Sequence, residues 1–166
     1  HTISLVVTGV QTCALPIYEA VADSITSRRF SFLEKRTQIR RECKVDGYKS
    51  DLYIEDTKTV VEIKSILSFA KSKEARFPSV YSQRAIDQMI KIRSLLDAGY
   101  RVSCIFVSLN PKIRRLTIND EIQEYWEAFG YCIEKGMTVK GVSLNLVDGV
   151  PAINASVPVV FNSALI

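Results

Sequence analysis

The run from Arg40 to Ile66, RRECKVDGYKSDLYIEDTKTVVEIKSI, constrains the fold more than any other stretch of the chain. Asp46-Gly47 is a strong hairpin signal, because a two-residue type I′ turn needs positive φ at both central positions. The polar EDTK segment, centred on Asp56-Thr57, marks a second turn, so the run reads as a three-stranded antiparallel meander. In that register Glu42 lies opposite Asp51, and Asp51 opposite Glu62. Three carboxylates then form a row across adjacent strands. Lys44, Lys49 and Lys64 form a second row on the same face, while Cys43, Leu52, Ile54, Val61 and Ile63 occupy the other face, the expected core side.

Like charges placed directly opposite one another destabilise a sheet, by about 0.2–1 kcal/mol per pair. Three acids abreast therefore call for a positive partner, and a divalent metal is the obvious one. Mg²⁺ binds through one or two carboxylates, completing its shell with water and phosphate oxygens. Asp51 and Glu62 are the expected ligands, with Glu42 beside them and the Ile63 carbonyl able to help. Lys64 is then placed to orient an attacking water and to stabilise charge developing on a phosphate, which is what phosphodiester hydrolysis needs. Alternating charge is also what the wet face of an antiparallel sheet looks like, and surface ion pairs between such rows are worth little. The residues alone leave both readings open.

The rest of the chain supplies an α/β setting. Val21 and Ile25 mark a short helix over residues 18–27. Ser79 or Ser82 can cap a longer helix through Ile86, Met89, Ile90 and Leu96 that stops at Gly99. VSCIFVSL, residues 102–109, is a buried strand. Asn119 is expected to cap a second helix carrying Tyr125, Trp126, Phe129 and Ile133 and ending at Gly136. Strand-like pieces follow at 139–147 and 157–161, and the SKSKEARFP region reads as a polar link. Trp126 shares helical spacing with Phe129 and Ile133, so it reads as core and not as a base-stacking platform. A length of 166 residues suits one domain with a real core.

A net charge of +4 is compatible with a polyanionic partner. The excess lies early, since only Asp148 is charged between Gly141 and Ile166. Arg28, Arg29, Arg40 and Arg41 would suit a backbone-tracking groove, although exposed arginines are commonly just solvated. Cys13, Cys43, Cys104 and Cys132 show no CxxC spacing, which points to reduced thiols in a cytoplasm and against a zinc site. After residue 17 no apolar stretch is long enough to span a membrane. Strand edges and the nearly uncharged tail would support a homodimer, though nothing specifies one.

Residues 3–17 resemble the apolar core of a signal peptide, but no Lys or Arg precedes them. VTGVQTCALPI, Val7 to Ile17, matches the translation of a common sequencing-library adapter word for word. Residues 1–17 are therefore expected to be an artefactual leader, and residues 18–166 the natural domain.

Three further stretches carry a family resemblance. SDLYIEDTKTVVEIKSI, ARFPSVYSQRAIDQM and LLDAGYRVSCIFV resemble, in order and spacing, successive motifs of the sugar fermentation stimulation protein (SfsA) family. The resemblance implies a restriction-endonuclease-like α/β core of the PD-(D/E)XK nuclease type. It also implies a metal site for Mg²⁺ or Mn²⁺, and DNA or RNA as the bound polymer. Asp51, Glu62 and Lys64 match the nuclease signature, and Glu42 falls where an acid is also expected. Arg84 matches the Arg at the start of the family's helix; it suits a phosphate at the mouth of the site or a structural ion pair. Arg114 and Arg115, after the Asn-Pro turn, would steer nucleic acid or simply be solvated. Two positions depart from the pattern: Ser79 follows FP where an acid is usual, and Gln88 stands where a His is common. The N-terminal OB-like domain that the resemblance also implies is expected to be missing from this sequence. The implied activity is metal-dependent cleavage of nucleic acid; the rivals are a non-cleaving DNA-binding regulator and an inactive remnant.

Overall fold

The Asp46-Gly47 turn forms as the sequence indicates, with both residues at positive φ (49° and 78°). It joins β1 (Ile39–Val45) to β2 (Tyr48–Ile54), with Val45 facing Tyr48, Lys44 facing Lys49 and Cys43 facing Ser50. A 3-10 turn over Glu55–Thr57, closed by left-handed Lys58, leads into β3 (Thr59–Ile66), where Leu52 faces Val61 and Ile54 faces Thr59. These pairs keep the register read from the turns, but the expected Glu42–Asp51 and Asp51–Glu62 pairs are not among them. The computed structural model describes residues 14–27, 29, 38–66, 71 and 73–166.

The remaining elements are α1 (Ala14–Thr26), β4 (Glu74–Phe77), α2 (Gln83–Asp97), β5 (Arg101–Ser108), β6 (Arg115–Ile118), α3 (Gln123–Glu134), β7 (Thr138–Val147), β8 (Val150–Val157), β9 (Val159–Phe161) and β10 (Ala164–Leu165). The main sheet has six strands in the order β1-β2-β3-β5-β7-β8, and a smaller sheet has the order β10-β9-β6-β4. In the main sheet β3, β5 and β7 are parallel, with α2 and α3 in the successive crossovers; the flanking pairs are antiparallel. Meander, helix, buried strand and second helix thus follow one another as expected, in an α/β fold.

Both faces of the main sheet are covered. Ile17, Val21 and Ile25 of α1 pack with Leu52, Ile54, Val61, Ile63, Ile105 and Val107. On the opposite face, Ile86, Met89 and Ile92 of α2 and Tyr125 and Phe129 of α3 pack with Val60, Val102, Cys104 and Phe106. Fully burying each such aliphatic or aromatic side chain contributes about 1.5–3 kcal/mol. The second layer decides the fate of the charged face of β3: it lies under α2, where Glu62 is buried and Lys64 largely so. Trp126 packs its ring against Phe161, with centroids 4.9 Å apart, in a structural role.

Several local expectations are corrected. Glu42 sits at φ 45°, a left-handed kink that breaks side-chain alternation in β1, so Cys43 packs with the α2/α3 layer and not with Leu52. The supposed polar link contains β4, whose partner β6 also lies in a stretch with no alternation to announce it. β8 fills the gap between the two tail pieces expected there. Ser82 does cap α2, accepting from the Ala85 N–H at 3.2 Å, and Gly99 and Gly136 follow their helices at positive φ. Asn119 does not cap α3, which begins at Gln123. Its amide instead donates to the Pro78 carbonyl at 2.9 Å while its carbonyl oxygen accepts from the Glu121 N–H, tying the two loops together. No helix among the described residues is long and apolar enough to cross a membrane.

Candidate functional site

Strands β2 and β3 pair from Ile54–Thr59 to Leu52–Val61. At the next position the Asp51 side chain takes over the role of a backbone partner: its Oδ2 accepts from the Ile63 N–H at 2.7 Å. The carboxylate is thereby held in the split between the strands. From the opposite side the Tyr18 hydroxyl of α1 hydrogen-bonds to it.

Glu62, only 2% exposed, projects from β3 toward α2. Its Oε2 accepts from the Tyr48 hydroxyl at 2.6 Å. Its Oε1 accepts from the Lys64 ammonium at 3.1 Å and from the Gln88 amide. The Lys64 ammonium also donates to the Gln88 Oε1, and the Gln88 Nε2 reaches the Tyr48 oxygen at 3.1 Å. A buried ionised carboxylate is tolerated only when its lone pairs are used in this way.

Two acids share the site with one ammonium, and the imbalance is visible in the titration of Asp51. Burial first, and then the charge of Glu62, push its carboxyl from 3.8 up to about 7, against the opposing pull of the Ile63 N–H, Lys64 and Tyr18. Burial and the same carboxylates drive the Tyr18 and Tyr48 phenols upward, so both are neutral hydrogen-bond donors at ordinary pH.

Asp51, Glu62 and Lys64 are therefore brought together. Glu42 is not: its left-handed backbone turns the side chain out to solvent, 4.0 Å from the exposed Lys49 ammonium. Among the described residues no group of three or more His, Cys, Asp or Glu is arranged to hold a metal. Lys44 and Lys49 face each other as expected, but both are exposed, and the separation of β2 from β3 removes Lys64 from their row. Arg84 is exposed on α2, one turn before Gln88, and so lies toward the site. Arg114 donates to the Pro111 and Ile113 carbonyls, and Arg115 sits 3.8 Å from Glu74; both interactions are remote in sequence from the carboxylates. Arg40 and Arg41 pair with Glu55 and Glu19, Arg29 donates to the Ile153 carbonyl, and Arg28 lies outside the described residues.

Sequence reasoning missed Tyr18 and Tyr48 as site residues and treated Gln88 only as a departure from a family pattern. Tyr48 follows the turn glycine directly and carries no periodic signal; Gln88 is one polar residue among several between the apolar positions of α2. Only the packing of the hairpin against α2 brings them to Glu62.

The Sugar fermentation stimulation protein RE domain matches residues 17–148. The chain belongs to that family. Among solved structures, SfsA of Pyrococcus furiosus in complex with Ca²⁺ superposes with a TM-score of 0.72 at 17% identity, over 89% of this chain and 64% of that one. At that identity the likeness concerns the fold, and the chain spans under two thirds of that relative's length. No curated protein matches the sequence.

Proposed function

We propose that this chain is a nucleic-acid-binding phosphodiester hydrolase of SfsA type, dependent on a divalent cation, Mg²⁺ or Mn²⁺. The observation that carries the reading is the convergence of Asp51, Glu62 and Lys64 where β2 and β3 separate. The donor set fits such an ion: it consists of hard carboxylate oxygens, and Mg²⁺ needs only one or two of them beside water and phosphate oxygens. Asp51 and Glu62 would hold it. The Ca²⁺ complex of the Pyrococcus furiosus relative supports a divalent cation in this fold. When bound, the ion supplies charge neutralisation at the phosphate and acidifies water.

The protein's own groups have distinct tasks. The Ile63 N–H and the Tyr18 hydroxyl hold Asp51 in the strand split. Tyr48, Lys64 and Gln88 hold the Glu62 carboxylate in place under α2. Lys64, largely buried beside Glu62, stabilises negative charge developing on the phosphate, and burial strengthens such a donor. Arg84, one helical turn from Gln88, binds a neighbouring phosphate.

The test is degradation of labelled single- and double-stranded DNA and RNA with Mg²⁺, Mn²⁺ or EDTA. Cleavage is expected only with metal. It should drop by roughly 10²–10³-fold in Lys64→Ala, the scale of losing one transition-state donor, and vanish in Glu62→Ala, with folding checked by circular dichroism. Salt-sensitive DNA binding without cleavage, unaffected by Glu62→Ala, would replace the hydrolase with a non-cleaving DNA-binding regulator.

A further inference from the structure

The side-chain amide of Gln88 makes three hydrogen bonds inside the site. Its Nε2 donates to the Glu62 carboxylate and to the Tyr48 oxygen at 3.1 Å, and its Oε1 accepts from the Lys64 ammonium. The orientation is dictated by charge. Rotating the amide by half a turn would set NH₂ against an ammonium and a carbonyl oxygen against a carboxylate. Tyr48 closes the loop by donating to the second Glu62 oxygen at 2.6 Å.

Among the described residues Gln88 is thus the one neutral group that touches Glu62, Lys64 and Tyr48 together, and it comes from a helix whose buried face, Ile86, Met89 and Ile92, is locked into the core. Without it, Lys64 keeps a single contact, to Glu62, and its four-carbon stem regains rotamer freedom. The Glu62 Oε1 would also lose its second donor.

We infer that Gln88 is the positioning residue of this site, setting the angle between the cation-facing carboxylate and the amine that acts on the phosphate; this rests on the reading proposed above. An acid could not replace it, because a carboxylate would face Glu62, and an aliphatic side chain could neither donate nor accept. The amide holds the two charged groups while adding no charge, so the site keeps two acids and one ammonium. Its role is geometric, and the consequence is kinetic.

The experiment uses the full chain and three variants, Gln88→Leu, Gln88→Glu and Gln83→Leu, the last making the same change elsewhere on α2. Two readouts are taken: Mn²⁺-dependent cleavage of a labelled oligonucleotide, resolved into kcat and KM, and Tb³⁺ binding followed by tyrosine-sensitised luminescence. Tyr18 and Tyr48 both touch the carboxylates, which makes that luminescence local. Gln88→Leu should lower kcat by about 10–100-fold, the usual cost of losing a group that orients a metal ligand, while KM stays within about twofold. Gln88→Glu should bind Tb³⁺ more tightly, since a third carboxylate raises affinity through ligand charge, yet still cleave slowly because Glu62 has lost one of its three donors. Gln83→Leu should match the parent protein in both readouts.

Wild-type kcat and Tb³⁺ affinity in Gln88→Leu would overturn the positioning role and leave the hydrolase intact. A loss confined to thermal stability would overturn it as well, showing a packing strut. A parent protein that neither binds Tb³⁺ nor cleaves would overturn the functional reading and this inference with it.

Discussion

Tyr48→Phe isolates one hydrogen bond at the centre of the site with almost no change of shape. The phenol is buried, 7% exposed, and donates at 2.6 Å to a carboxylate that is itself 2% exposed. A hydrogen bond to a charged group contributes about 1.5–3 kcal/mol, against about 0.5–1.5 for a neutral pair. Water cannot readily replace the hydroxyl at that depth, so the loss should fall in the first range. Because Glu62 keeps Lys64 and Gln88 as donors, the lower half of the range is expected. In a chain of this size about 2–4 °C of Tm accompanies each kcal/mol.

The assay is urea unfolding in EDTA followed by Trp126 fluorescence, a suitable probe because its ring packs on Phe161. The midpoint should fall with an unchanged denaturant slope. The decisive control is Glu62→Gln, in which the partner oxygen is neutral. In that background the Tyr48→Phe loss should shrink to the neutral-pair range, giving a coupling of about 1 kcal/mol in the double-mutant cycle. A Tyr48→Phe effect below about 0.5 kcal/mol, or one equal in both backgrounds, would refute the claim that this phenol anchors the Glu62 side chain.

The other outcomes can be checked with the same protein. In EDTA, stability should decline as pH rises from about 4 to about 7, because the folded Asp51 carboxyl, raised by burial and Glu62 to about 7, binds a proton over a range where the unfolded one has lost it; Asp51→Asn should flatten that slope, as read by Tm across a pH series. Glu42→Ala should leave Mn²⁺ affinity within about threefold by calorimetry, since surface charges at such a site contribute little, whereas Asp51→Ala should abolish binding. Among the described cysteines, half-buried Cys43 should react with a thiol reagent before Cys104 and Cys132 in the native state, because burial raises both of those thiols, Cys132 to about 12; mass spectrometry of tryptic peptides gives the order.

The meander was legible because turn chemistry is local. Asp46-Gly47 and the EDTK stretch carry their own backbone preferences, and a two-residue turn dictates which residues face one another; Leu52 opposite Val61 follows from that alone. Helix α2 was equally plain, from Ser82 at its start and Gly99 after its end. β4, β6 and β8 were not, because short or edge strands lack a pattern long enough to separate them from loops.

The sequence by itself determined that Asp51, Glu62 and Lys64 share one neighbourhood, since strand alternation and hairpin register depend only on residues close along the chain. Tertiary structure alone decided which groups join them. The left-handed kink at Glu42 sent the third acid to solvent, the parting of β2 and β3 let Asp51 bind a backbone N–H, and the packing of α2 and the hairpin carried Gln88 and Tyr48 onto Glu62. Those contacts link residues twelve to forty positions apart, and they form because both faces of the sheet must be covered by apolar surface, a requirement that no local pattern in the chain encodes.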